Sequence, residues 1–173
     1  MIEKLDISDV VRDHFATLTP TGMSRPRPAE IGLHFGGPLL VGVVAYFVAW
    51  PSSHETVDLL VTADSILSAL LLNLMVLIHS LPAPKIPVVS RELVQRLRRE
   101  THANVSFATL VALAAIIPLV IGSELSPESR LRAGINAVGV MLLTQLAMTL
   151  LMIIKRAHVM LTASLSEREK TRE

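Results

Sequence analysis

Cysteine is absent from the 173-residue chain, which excludes disulfides, zinc thiolate sites, iron–sulfur clusters and cysteine nucleophiles. Charge is scarce: Asp, Glu, Lys and Arg make up 18% of the residues, where a soluble domain carries about a quarter. Aromatics are scarcer still at 3%. With a mean hydropathy of +0.53, this balance excludes an ordinary cytosolic enzyme, a nucleic-acid-binding domain and a disordered tail. Sixteen basic and fifteen acidic residues nearly cancel, so bulk charge attracts no polyanion and no nucleic-acid partner is expected. Gly-x-Ser-x-Gly, His-Glu-x-x-His, Walker and dinucleotide fingerprints are all missing. The reading is therefore non-enzymatic, with no catalytic residue and no cofactor. The opening Met1-Ile-Glu-Lys-Leu-Asp-Ile-Ser-Asp has no basic head followed by an apolar core, so no cleavable secretory signal is expected. Lipidation motifs are also missing.

What the chain does have is long runs without charge. Ile31–His54, Ser65–Pro84, Thr101–Ser123 and Ala133–Ile154 contain no Asp, Glu, Lys or Arg. Runs of about 20 such residues, mostly apolar, are long enough to cross the hydrocarbon of a bilayer as helices. Four spans are expected, at about 31–50, 57–81, 101–121 and 128–158, forming an all-α integral membrane four-helix bundle. Gly36-Gly37-Pro38 predicts a kink or a helix start in span one. Ser126-Pro127-Glu128 predicts an N-cap and first turn for span four. That helix is expected to reach about His158, or Leu165 with an extension.

Basic residues set the orientation. Lys4, Arg12, Arg25 and Arg27 precede span one. Lys85, Arg91, Arg96, Arg98 and Arg99 follow span two, and Lys155, Arg156, Arg168, Lys170 and Arg172 follow span four. Only Arg130 and Arg132 fall on the other side. The positive-inside rule then places both termini in the cytoplasm of a bacterial inner membrane. Residues 1–30 read as a cytoplasmic amphipathic helix and linker, 31–158 as the transmembrane domain with a basic loop at 82–100, and 159–173 as a tail. Ile7, Val10, Val11, Phe15 and Leu18 recur at helical spacing, and so do Val89, Leu93 and Leu97. The second helix is expected to run into span three. Its Arg91, Arg96, Arg98 and Arg99 are candidates for a cytoplasmic switch or for lipid headgroup contact, at about 1 kcal/mol each near an anionic surface. Obedience to the positive-inside rule accounts for them equally simply.

Polar residues inside spans are site candidates. Asp64, Ser68 and Asn73, with Ser65, give span two a polar side; Thr144, Gln145 and Thr149 give span four another. Facing each other, they would form interhelical hydrogen bonds worth about 0.6 kcal/mol each. They would either line a proton or cation path or simply hold the bundle together. His34, His79, His102 and His158 fall one per span near the cytoplasmic boundary, where imidazoles at one level could ligate a metal or haem or act as a pH-sensitive ring. Interfacial preference alone would also put them there. Ala108, Ala112 and Ala115 form a small-residue stripe. Gly134, Val138, Met141, Gln145, Met148 and Met152 form a coiled-coil-like seam, facing either the protomer's own helices or a neighbouring subunit. Arg96-Leu-Arg-Arg-Glu-Thr-His102 fits the arginine–spacer–histidine pattern of HEPN ribonucleases, with Leu97 where those enzymes place a small polar residue.

The amphipathic N-terminal helix, Gly36-Gly37-Pro38-Leu-Leu, Leu72-Asn73-Leu-Met-Val-Leu-Ile-His79 and Arg99-Glu-Thr-His102-Ala-Asn104-Val-Ser106-Phe107 together resemble the layout of small four-span bacterial membrane proteins found near mobile elements and defence loci. The resemblance implies a membrane-damaging effector and carries over no catalytic residue. The expected function is an oligomeric membrane effector or pore-forming component that alters permeability, with antiphage defence as the expected setting. The alternatives are an accessory or scaffold subunit of a larger complex, and a small transporter or haem-binding redox subunit. Its expected partners are the bilayer, further copies of itself and a cytoplasmic protein.

Overall fold

The computed structural model describes residues 7–18, 28–48, 53–80, 88–126 and 128–170. Among these are five α-helices and no strand: α1 (Ser8–Thr17), α2 (Pro28–Val48), α3 (His54–Ser80), α4 (Val88–Ser123) and α5 (Arg130–Lys170). Four of them, α2 to α5, are long and apolar enough to cross a membrane. Their outward faces carry Leu33, Phe47, Leu59, Ile66, Val76, Ile117, Leu151 and Ile154 in the open. Such continuous apolar exposure costs free energy in water and none in hydrocarbon, so the fold is that of a multi-pass membrane protein.

Several helix boundaries differ from those expected. α2 neither starts at Pro38 nor stops there. It begins at Pro28, where the missing N–H costs nothing, and runs through Pro38. Proline at 38 cannot donate to the carbonyl four residues back, which frees the His34 carbonyl oxygen. α4 is one helix of 36 residues, joining the basic segment to the third span as expected. α5 starts at Arg130, and its first turn is capped by the Ser129 hydroxyl, which accepts from the Leu131 N–H at 3.2 Å. Ser126 does not fill that role: its carbonyl accepts from the Ser129 N–H in the preceding turn. α5 continues to Lys170, so most of the expected tail is helical.

α4 and α5 form the central pair. Ala108, Ala112 and Ala115 are fully buried on α4, so the small-residue stripe brings the helix backbones close. Glycine makes the closest approaches. A β-carbon on Gly122 would overlap the Asn136 amide, one on Gly139 would meet Leu119 at 2.7 Å, and one on Gly42 would stand 3.0 Å from Met141 Cβ. α2 lies along α5 through Gly42, Ala45, Ala137 and Val140. α3 lies along α4 through Leu71, Ile78, Val105 and Val111. No extended interface joins α2 to α3 among the described residues. The seam on α5 faces the protomer's own helix: Met141 meets Gly42, and Gly134 meets Tyr46.

Candidate functional site

α1 does not float beside the bundle. It packs against α4 at the end that carries most of the basic residues, called the basic end below. Val10 and Val11 cover the apolar core, and His14 in the centre of the same face is fully buried. Phe107 of α4 lies flat under the His14 ring, with centroids 3.8 Å apart and planes 5° from parallel. On the flank, Phe15 stacks on Phe35 of α2 at 5.0 Å.

A chain of buried polar groups completes the joint. The Asn104 side-chain oxygen accepts from His14 Nδ1 at 2.9 Å and from the Thr17 hydroxyl at 2.9 Å. His14 Nε2 lies 3.2 Å from His34 Nε2, and the Gln145 amide lies 2.8 Å beyond, on the same His34 nitrogen. With Nδ1 donating to Asn104, a neutral His14 accepts at Nε2, so the His34 Nε2–H is shared between His14 Nε2 and the Gln145 amide, which then presents its oxygen. Burial lowers the His14 pKa from 6.5 to about 4, and the fields of His34 and Arg156 push the same way against the Asn104 hydrogen bond. Arg156 of α5 closes the joint by donating to the Thr17 carbonyl at 2.7 Å and the Glu100 carbonyl at 3.3 Å, with the Glu100 carboxylate 3.7 Å away. A guanidinium there satisfies orphan carbonyls at the C-terminal end of α1 and opposes its dipole. One ten-residue helix is thus tied to α2, α4 and α5 together.

Of the boundary histidines whose side chains are described, His34 alone enters this cluster. His102 and His158 are exposed, and the His79 side chain lies outside the described residues. Among the described residues no three His, Asp or Glu side chains come together to hold a metal ion. The two polar sides do not pair either. Gln145 turns to His34, while the Thr144 and Thr149 hydroxyls donate to the carbonyls of Val140 and Gln145 on their own helix. Asn73 is exposed, and Ser65 donates back to Val61. Asp64 and Ser68 are buried with no hydrogen-bond partner among the described residues, and Asp64 borders an apolar cavity of about 160 Å³ with Leu143, Leu146 and Leu150 of α5.

The basic segment divides its work. Arg98 donates through Nε at 3.0 Å, and through a second nitrogen, to the Ile78 carbonyl near the end of α3. Arg96 pairs with Glu100 one turn on, at 2.8 Å. Arg99 is exposed and borders a cavity of about 610 Å³ between α1 and α4. The Arg91 side chain lies outside the described residues.

Sequence reasoning missed His14, Asn104, Thr17 and Arg156. For His14 a signal was present. Ile7, Val11, His14 and Leu18 follow one helical stripe, and an imidazole inside an apolar stripe needs buried partners. A scan against protein-family models, a search of curated proteins and a search of solved structures each find no match to this chain.

Proposed function

We propose that this is a non-enzymatic, homo-oligomeric membrane effector whose N-terminal helix restrains the spans. In this reading it sits in a bacterial inner membrane with both termini cytoplasmic, and release of α1 changes the permeability of the bilayer. The observation that supports it is the joint itself. A helix needed only for stability is held adequately by apolar packing, whereas this one also spends a buried histidine pair, an asparagine, a glutamine and an arginine on its docking. Buried polar groups of this kind specify one arrangement strongly and cost heavily once a partner is lost, which suits an element with two discrete positions. Undocking α1 uncovers Asn104, His34 and Gln145 together on three spans, at one level of the bundle.

Conduction, in this reading, runs between subunits, because a row of four helices cannot enclose an aqueous path by itself. The test is induced expression with a potential-sensitive dye. Asn104→Leu, which removes the acceptor for His14 and Thr17, is expected to depolarise cells at lower expression than the unaltered protein does. Equal potentials for both, at equal membrane levels and with oligomers present, would overturn the reading. Stoichiometric co-purification of a second protein would instead favour the scaffold role.

A further inference from the structure

The cavity of about 610 Å³ between α1 and α4 has walls of opposite charge. α1 contributes the carboxylates of Asp9 and Asp13, and α4 contributes the guanidinium groups of Arg96 and Arg99, with the Glu100 carboxylate beside Arg96 and the His102 imidazole further along. Opposed walls of this kind normally close on each other in ion pairs. Here Asp9 pairs with Arg12 on α1 and Arg96 with Glu100 on α4, both at 2.8 Å, Arg156 of α5 approaches Glu100 at 3.7 Å, and among the described residues no ion pair crosses the gap. Asp13 and Arg99 are both exposed and have no ion-pair partner among the described residues. Depth also matters. The charged wall ends at Glu100, the charge-free run begins at Thr101, and Ala103 and Ser106 form the floor. The cavity therefore straddles the level where hydrocarbon gives way to headgroups.

We propose that this cavity is a binding site for a phosphoethanolamine zwitterion, supplied by the headgroup of a membrane phospholipid. The phosphate would face Arg99 and Arg96, which offer forked donors to its oxygens. The primary ammonium would face Asp13 and Asp9, to which it can donate hydrogen bonds that a trimethylammonium cannot. The glycerol would lie over Ala103 and Ser106, with the chains running down the apolar surface of α4. The volume is within the range of pockets that hold small ligands. A lipid seated there would bridge α1 to α4, independent of any permeability change.

The experiment is lipid titration of the delipidated, detergent-solubilised full chain, read by native mass spectrometry. Phosphatidylethanolamine is expected to be retained about three- to tenfold better than phosphatidylcholine or phosphatidylglycerol, the ratio that one or two interfacial charge contacts supply. Arg99→Gln should lower retention of all three, and Asp13→Asn should remove the preference for phosphatidylethanolamine alone. Both residues are exposed, so the fold should survive each change. Glycerophosphoethanolamine, which has the headgroup without chains, separates the two sources. Binding of the lipid alone assigns the site to the bilayer, binding of both assigns it to the phosphoamine itself, and either supports the site. Equal retention of the three lipids, or a preference unchanged in both variants, would overturn it.

Discussion

His14 shows how one side chain makes the docking of an element depend on solution conditions. Its ring faces Phe107 and Asn104 on α4, His34 on α2 and Arg156 on α5, with Glu100 next to the arginine. No carboxylate contacts the ring to compensate a second proton. Undocked, it would titrate near 6.5; docked, it resists protonation down to about 4. The undocked helix therefore binds the extra proton across that window, and docking is strongest above pH 6.5. It should weaken by about 1.4 kcal/mol per pH unit as the pH falls toward 4. Hydrogen exchange of the α1 amides between pH 7.5 and 4.5 measures this: protection should fall in the native chain and change much less in His14→Gln. A flat profile in the native chain would show that the ring is not sealed from water. Asn104→Leu strands the buried His14 Nδ1–H, while the Thr17 hydroxyl keeps the His14 carbonyl at 2.7 Å, and should cost about 1–3 kcal/mol, read as a lower melting temperature in detergent.

At the scale of the element, α1 has no side-chain N-cap hydrogen bond and only ten residues, too few to persist alone in water. Its order comes from what it docks on. Arg156→Gln removes a charged donor from the end of α1 and should cost about 1.5–3 kcal/mol. Limited proteolysis should then cut within 8–18 before any span is touched. Glycines in the spans divide sharply by the space around them. Gly122→Ala places a methyl group on the Asn136 amide, and the resulting overpacking should cost about 1–3 kcal/mol of thermal stability. Gly36→Ala meets nothing within 4 Å and should be neutral or slightly stabilising through helix propensity. A Gly122→Ala variant as stable as the native chain would mean that α4 and α5 pack less closely than described.

For the whole molecule, the useful fact is the order of the helices, α3 beside α4, α4 beside α5, α5 beside α2. Lacking cysteine, the chain can be probed by thiol cross-linking without background. A Gly42→Cys/Met141→Cys pair should cross-link within one chain and migrate as a monomer, because these positions face each other in the protomer. A dimer as the main product would assign the α5 seam to a subunit boundary. Asp64→Leu should leave the fold intact and raise stability slightly, since a buried carboxyl without a hydrogen-bond partner among the described residues is a cost rather than a bond, and the cavity beside it is lined by leucines.

Local composition determined the all-helical architecture, the number of long apolar helices and the amphipathic character of α1, because hydrocarbon forces every backbone polar group into a helix and twenty uncharged residues are visible without knowing what they touch. The same rule explains why the long runs were legible while their ends moved: caps and prolines act over one turn, and Ser126 and Pro38 gave way to Ser129 and to packing along the whole of α2. Which polar groups meet was decided only by tertiary structure. His14 and Asn104 are 90 positions apart and His34 and Gln145 are 111 apart, so no window along the chain contains both members of either pair. Two helix faces can each be read as polar and still not meet: Asp64 of α3 borders leucines of α5 while Gln145 turns to His34, because the rotation of α5 about its axis follows from close contacts such as Gly42 on Met141 and Gly122 on Asn136.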